Sequence, residues 1–396
     1  MKIAQINFCD RGSTGKISRD IFSVLNDDNN KIYVCSKITN QPNVVEFTNN
    51  IEHQIHRILG GVFDLDSLGS YFSTKKLVKQ LKKDNIDILH LQNIHGYFIN
   101  YKVLFNYIKK NNVKTIWTLH DCWSFTGHCP YFDMVKCEKW KTQCHHCSNI
   151  HTYPRSLFFD RSKSFYKFKK KTFNGVKDLT LVTPSKWLAG LVKQSFLQSY
   201  PVKVINNGIN LENFNPIDKH TFDKVIDRNK KIILAVSNYW AKRKGYPDLF
   251  ELNKHIDKNE YEFVVVGVDK IQSNELKNEG IIPIMRTENQ KQLAELYSMA
   301  SVFINLTYED NFPTVNIEAL SCGCPIVTYN TGGSIEVITD ETGLVVAQGN
   351  VAEMAEGILK IVNGDYNREN ICKEAQKTFN AEVMANKYKQ LYLSTL

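Results

Sequence analysis

Short apolar runs recur along this chain. Each ends in turn-forming residues and most lead into a segment with helical spacing. Lys2 to Phe8, Lys31 to Ser36, Ile86 to Leu91, Lys114 to Leu119, Leu179 to Thr183, Val202 to Ile205, Lys231 to Val236, Tyr261 to Val266, Ile281 to Arg286, Ser301 to Leu306 and Pro325 to Tyr329 read as strands. Ile17 to Leu25, Leu68 to Lys83, Asn100 to Lys110, Leu293 to Ala300 and Val315 to Leu320 read as helices between them. This alternation predicts an α/β chain built on parallel, doubly wound sheets. Ligands of such sheets bind beyond the carboxyl ends of the strands, so site residues are sought there.

At 396 residues the chain is too long for one ordinary core, and two domains are expected. The turn-rich stretch Asn206 to Pro216 sets the boundary, giving residues 1–206 and 207–380, with a last helix within 381–396. With 42% hydrophobic and 23% charged residues, the chain is globular rather than disordered. The net charge of +9 favours anionic partners without choosing among them. No run of 18 apolar residues predicts a spanning helix. The N-terminus alternates like a strand, so no secretory signal is expected. A cytoplasmic location follows, where the ten cysteines are thiols or metal ligands rather than disulfides.

The stretch from Glu309 to Val327 is the most telling. Asp310 lies on the loop into the helix of Val315 to Leu320, and Glu318 is expected near that helix's first turn, beside N–H groups that attract anions. Ionised carboxylates only accept hydrogen bonds, and two of them can converge on a ligand rich in hydroxyls. Lys242-Arg243-Lys244-Gly245 follows the strand ending at Val236 and opens a helix, a setting that suits a diphosphate. Gly12-Ser13-Thr14-Gly15 follows the first strand as a loop that lets a ligand approach the backbone, with a plain tight turn as the equal alternative. Gly332 and Gly333 form a second turn where N–H groups can meet phosphate. His95 and His120 stand at neighbouring strand ends.

Cys129, Cys137, Cys144 and Cys147 have C-x7-C-x6-C-x2-C spacing inside an insertion over 122–151. They read either as a structural zinc site or as reduced, packed thiols. Residues 155–171 interleave cations with aromatics, a pattern that fits either contact with an anionic membrane surface or a helix with one packed side. Nothing else in the chain supports nucleic acid as a partner.

The Asp310 to Glu318 block resembles the carboxylate, seven residues, carboxylate motif of retaining glycosyltransferases of family 4. Lys244-Gly245, the Asn207-Gly208-Ile209 hinge and His120-Asp121 match the same family, and the resemblance runs along nearly the whole chain. It implies the GT-B fold, two Rossmann-like domains facing a central cleft, with a C-terminal helix crossing back to the first. It implies His120, Asp310, Lys244 and Arg243 as catalytic residues. Gly12, Ser13, Thr14, Gly15, Ser237, Asn238, Met285, Arg286, Glu309, Asn311, Phe312, Glu318, Gly332 and Gly333 become donor-binding residues. The first acid of the family motif is usually Glu and here is Asp310, with Glu309 beside it. The family's early loop Arg is replaced by Ser237 or Asn238, and Arg243 is the cation left nearby.

The implied co-substrate is a nucleotide-diphosphate sugar, UDP- or GDP-linked. The implied acceptor is a glycan or lipid-linked oligosaccharide at the inner face of the cell membrane, in surface polysaccharide synthesis. No catalytic metal is expected. A sugar-nucleotide epimerase of similar architecture and a non-catalytic assembly protein are the alternatives.

Overall fold

The computed structural model describes residues 1–25, 30–66 and 68–396. The chain divides into two compact units. One comprises Met1–Asn206 with Met384–Leu396, the other Asn207–Val383.

The first unit runs β1 (Ile3–Cys9), α1 (Gly12–Ser23), β2 (Lys31–Ser36), β3 (Val44–Glu46), α2 (Asn50–Phe63), α3 (Tyr71–Asp84), β4 (Ile88–Leu91), α4 (Tyr101–Lys110), β5 (Lys114–Thr118), α5 (Ser162–Phe173), β6 (Leu179–Thr183), α6 (Lys186–Val192) and β7 (Val202–Val204). Its seven strands are all parallel, in the order β3-β2-β1-β4-β5-β6-β7. Successive residues of one strand enter opposite cores, as a sheet covered on both faces requires. Ile116 and Val182 face a core of Ile17, Ile21 and Ile32, whereas Trp117 and Leu181 face one built on Phe105, Trp123 and Phe173.

The second unit runs β8 (Lys231–Val236), α7 (Tyr246–Asn253), β9 (Tyr261–Val266), α8 (Lys270–Asn278), β10 (Ile282–Ile284), α9 (Gln290–Met299), β11 (Val302–Asn305), α10 (Thr314–Ser321), β12 (Ile326–Tyr329), β13 (Gly343–Val346), α11 (Val351–Asn363) and α12 (Arg368–Phe379). The last helix, α13, spans Ala381–Thr395, and from Met384 onward it belongs to the first unit. The six strands of the second unit are parallel, in the order β10-β9-β8-β11-β12-β13. Two doubly wound parallel sheets are thus present, as the alternation predicts. In each, the strand order reverses beside the first strand, at β1/β4 and at β8/β11, and that is where such sheets open a crevice.

Several segments differ from expectation. The glycine stretch 12–15 is the first turn of α1 rather than a loop ahead of it. Gly12 takes a φ of 71°, and a Cβ on Gly15 would sit 2.5 Å from the Asp10 carbonyl carbon. The two glycines let the helix start tight against the end of β1. Of the basic, aromatic stretch 155–171, the helical part turns Phe165, Tyr166 and even Lys169 inward. The Lys169 ammonium donates to the carbonyls of Trp123 at 2.6 Å and Thr126 at 3.2 Å, and lies 3.5 Å from the centre of the Trp123 ring. Burial pushes its pKa down to about 7. It pins the insertion that follows β5 onto α5. Among the described residues, no helix is long and apolar enough to cross a membrane.

Candidate functional site

In the second unit, two loops meet at the switch point. Gly245, at φ 76°, lets α7 begin against the end of β11, because a Cβ there would lie 2.4 Å from the Leu306 carbonyl oxygen. This places the short turn Lys242–Lys244 alongside residues 307–310. Tyr308 N–H donates to the Arg243 carbonyl at 2.8 Å, which fixes the register of the two loops. The Lys244 ammonium then pairs with Asp310 at 2.5 Å, each side chain about one-fifth exposed. The Arg243 guanidinium donates to the Glu309 carbonyl at 3.2 Å and to the Tyr239 hydroxyl, and lies over the Tyr239 ring. Asp310 also accepts from the N–H of Asn311 at 2.9 Å.

Four of the expected residues, Arg243, Lys244, Glu309 and Asp310, therefore form one cluster. Phe312 is buried against Phe379, and its carbonyl accepts from Asn207 at 3.4 Å. Asn316 ties α10 to the 331–334 turn, receiving a bond from Asn305 at 2.7 Å and donating to the Ser334 carbonyl at 3.2 Å. Gly332, at φ 50°, and Gly333 sit in that turn.

Glu318 lies deeper than expected. The helix starts at Thr314 with Pro313 before it, so Glu318 is the fifth residue, beyond the turn whose N–H groups are open to an anion. Its carboxylate accepts from the Tyr297 hydroxyl at 3.3 Å. Ser237 closes its own loop, donating to the Tyr239 carbonyl at 2.7 Å, while Asn238 is exposed. Met285 and Arg286 are exposed past β10, two strands away from β8.

The first unit places His120 past the end of β5, and its ring can be oriented by logic alone. The Ser18 carbonyl can only accept, so Gln5 turns its amide nitrogen to it at 3.1 Å. Gln5 Oε1 then accepts from Gln92 Nε2 at 3.1 Å. That leaves Gln92 Oε1 facing His120 Nε2 at 2.8 Å, so this nitrogen carries the proton and Nδ1 the lone pair. Gln92 Nε2 also donates to His90 Nε2 at 3.3 Å, so His90 Nδ1 donates to the Tyr392 hydroxyl of α13 at 2.6 Å. Burial pushes the pKa of His120 down to about 4 and that of His90 to about 3, and both rings are neutral at neutral pH.

His95 is bonded at both nitrogens, to Asp121 at 2.9 Å and to the Tyr153 hydroxyl at 2.9 Å. Burial alone would raise the Asp121 carboxyl, but His95 and the Trp123 N–H outweigh it and hold the pKa below the usual value. The first turn of α1 carries Gly12 and Ser13, both exposed, and Thr14, half-buried. Gln92, Gln5 and Tyr239 are not singled out by sequence reading. Gln92 has one available signal, its place directly after a strand.

The four insertion cysteines share one neighbourhood at the edge of the first core. Cys129 and Cys147 hydrogen-bond each other, and Cys144 Sγ accepts from Gly127 N–H at 3.1 Å. Among the described residues, however, no group of three or more His, Cys, Asp or Glu side chains converges closely enough to hold a metal.

Comparison with known proteins is consistent with this geometry. Residues 25–213 match the family model described as Glycosyltransferase Family 4, and residues 216–378 match that of Glycosyl transferases group 1. A protein of Escherichia coli named as a colanic acid biosynthesis glycosyl transferase is 24% identical over 335 residues, covering 80% of this chain and 77% of that one. An N,N'-diacetylbacillosaminyl-diphospho-undecaprenol alpha-1,3-N-acetylgalactosaminyltransferase of Campylobacter jejuni is 27% identical over 198 residues, 47% of this chain and 52% of that one. An Anabaena protein solved with UDP-glucose superposes with a TM-score of 0.69 at 15% identity, over 100% of both chains.

Proposed function

The chain belongs to glycosyltransferase family 4, an enzyme family of the GT-B fold, and from that premise we propose a retaining transfer from a nucleotide-diphosphate sugar to a glycan or lipid-linked acceptor. The relative named for colanic acid biosynthesis supports surface polysaccharide synthesis as the setting, and the one named for a diphospho-undecaprenol substrate supports a lipid-linked acceptor. The Anabaena complex supports UDP as the donor's nucleotide. The observation that carries the reading is the Lys244–Asp310 pair beside Arg243 at the β8/β11 switch point.

Transfer breaks the bond between the sugar's C1 and the phosphate oxygen, and the electron pair leaves with the diphosphate. Lys244 and Arg243 are fixed cations that stabilise this growing charge, an effect typically worth a factor of about 10²–10³ for each well-placed group. Asp310, released from Lys244, accepts hydrogen bonds from sugar hydroxyls. Glu318 accepts from the ribose. His120, neutral and proton-bearing at Nε2, orients the reacting face of the sugar. The acceptor hydroxyl adds to C1 from the face the diphosphate leaves, and its proton passes to the departing phosphate oxygen.

The test is thermal unfolding with UDP-, GDP-, ADP- and CMP-linked sugars, using wild type and Glu318→Ala together. A donor at 100 times its dissociation constant adds about 2.7 kcal/mol to stability. One nucleotide class is expected to stabilise wild type and to lose most of that effect in the variant. Absence of stabilisation by every donor would remove the reading. Consumption of donor without acceptor would point to an epimerase.

A further inference from the structure

Among the described residues, eleven of the twenty-two exposed large apolar side chains lie in two short stretches of the first unit, within 51–72 and 153–159. The reason is local. Helix α2 sits the wrong way round for a core helix. Its isoleucines recur at helical spacing, yet Ile51 is 73% exposed, Ile55 52% and Ile58 58%. The buried positions are His56 and Gly60. His56 bonds the Ser70 hydroxyl at 2.9 Å and the Asp66 carbonyl at 2.8 Å, and Gly60 lies flat under the Tyr97 ring. The helix thus rests on its polar and small side and turns its apolar stripe outward.

Neighbouring segments extend that stripe into one surface. Leu157 N–H donates to the Gly61 carbonyl at 2.9 Å, and Phe159 stacks on Phe63 with ring centres 5.7 Å apart. Glu52 accepts from the N–H groups of Phe72 and Ser73, which draws the start of α3 alongside. A groove of about 700 Å³ runs between them, lined by Ile51, Ile55, Leu68 and Phe72. Phe158 and Phe72 are the most exposed, at 77% and 76%.

Cations surround this surface. Arg57 is on the exposed side of α2, Lys76 lines the groove, Lys75 lies over the Tyr71 ring, and Arg155 and Arg161 flank the phenylalanines. Over residues 50–76 and 153–161 the described carboxylates are Glu52, Asp64, Asp66 and Asp160. Asp64 and Asp66 are buried, Glu52 is bound to backbone N–H groups, and Asp160 alone is exposed. Contiguous apolar patches of this kind mark an interaction site on a soluble unit. A protein partner would have to present acids in register with five cations. Anionic headgroups oppose them in any register, and the outward stripe enters the acyl boundary.

We propose that α2, together with Phe72, Phe158 and Phe159, docks flat on an anionic lipid surface, the isoleucines in the acyl boundary and the arginines and lysines among the headgroups. This contact lies beside, not along, α5, whose aromatics are used in the core. It requires no knowledge of donor or acceptor.

Flotation of the full-length chain with vesicles tests it. The vesicles are phosphatidylcholine alone, or phosphatidylcholine with phosphatidylglycerol in about equal parts. Wild type is expected to float with the anionic vesicles and to bind them several-fold less at high salt. Ile55→Asp with Ile58→Asp should weaken binding about a hundredfold, and Arg57→Glu with Lys76→Glu about tenfold, with thermal unfolding unchanged in both. The proposal is overturned by a wild type that stays in the aqueous phase, or by an isoleucine variant that floats as well as wild type. A concentration-dependent dimer that the isoleucine variant breaks, without vesicle binding, would assign the face to a second copy and overturn it too. Nucleotide-sugar stabilisation, read in the same variants, tests the transfer reading separately.

Discussion

The two units hold their strand-end residues by opposite means. In the second, opposite charges hold each other. Lys244 and Asp310 are partly exposed, and the cluster has a cation ready for any anion that displaces the carboxylate. In the first, neutral groups are locked in sequence from a backbone carbonyl outward, through Gln5 and Gln92 to His120. An ion pair near solvent is cheap to exchange, with a net worth of about 0–1 kcal/mol. A buried amide chain is not, since each broken link leaves an unsatisfied polar group costing about 1–3 kcal/mol. The lesson is a division of labour. On the proposed function, one corner rearranges when ligand arrives and the other stays as folded.

Lys244→Met should break this comparison most visibly. It removes the exchangeable cation and leaves the first corner intact. Transfer activity should fall about 10²–10³-fold in kcat, whereas the unfolding midpoint should move little. A variant with near-normal kcat would show that Lys244 is only Asp310's structural partner.

Acid should separate the corners next. His90 and His120 both have folded pKa values below the 6.5 of an unfolded histidine, so the unfolded chain takes up protons first. Their stabilisation is full above about pH 6.5 and is lost as pH falls toward 4, by an amount on the order of a few kcal/mol. Urea unfolding at neutral and mildly acidic pH measures it, and His90→Asn should flatten the slope. Gln92→Met comes third. It removes the acceptor from His120 Nε2, and kcat should drop about tenfold while donor stabilisation persists. Gln92→Glu should restore most of the rate, because a carboxylate still accepts from that N–H, and should raise the His120 pKa. Nitrogen NMR of labelled histidines reads tautomer and pKa directly.

How much of this is legible without coordinates differs by element. The bounds of β2, β6, β8 and β9 are visible in the sequence because strands buried on both faces are continuous apolar runs between turn residues. Lys244, Arg243 and Asp310 are also visible, because each stands on a short loop directly after a strand. Periodicity shows that a helix has two faces but not which one faces the core. Helix α2 therefore goes unread although Ile51, Ile55 and Ile58 are in phase, and the aromatics of α5 draw attention to a surface they do not form. The His120 tautomer depends on Ser18, Gln5 and Gln92, which only the β1–β4–β5 pairing brings together. Sequence spacing carries no trace of it.

Tyr392→Phe gives the smallest effect and the sharpest test. The hydroxyl is fully buried and meets His90 Nδ1 at 2.6 Å, so its loss strands one N–H. The expected cost is about 1–2 kcal/mol, or about 2–8 °C in Tm for a unit of this size. The ring itself is kept, and so is its packing with Met384 and Tyr388 against Ile17, Ile21 and Ile32. His120 is two links further on, beyond His90 and Gln92. Its proton position is dictated from the other end, by a Ser18 carbonyl that cannot donate. The nitrogen spectrum of His120 should therefore stay unchanged while the protein loses stability. If the His120 tautomer shifts with Tyr392→Phe, the chain is polarised from α13 rather than from the strand end. The first corner would then be as adjustable as the second.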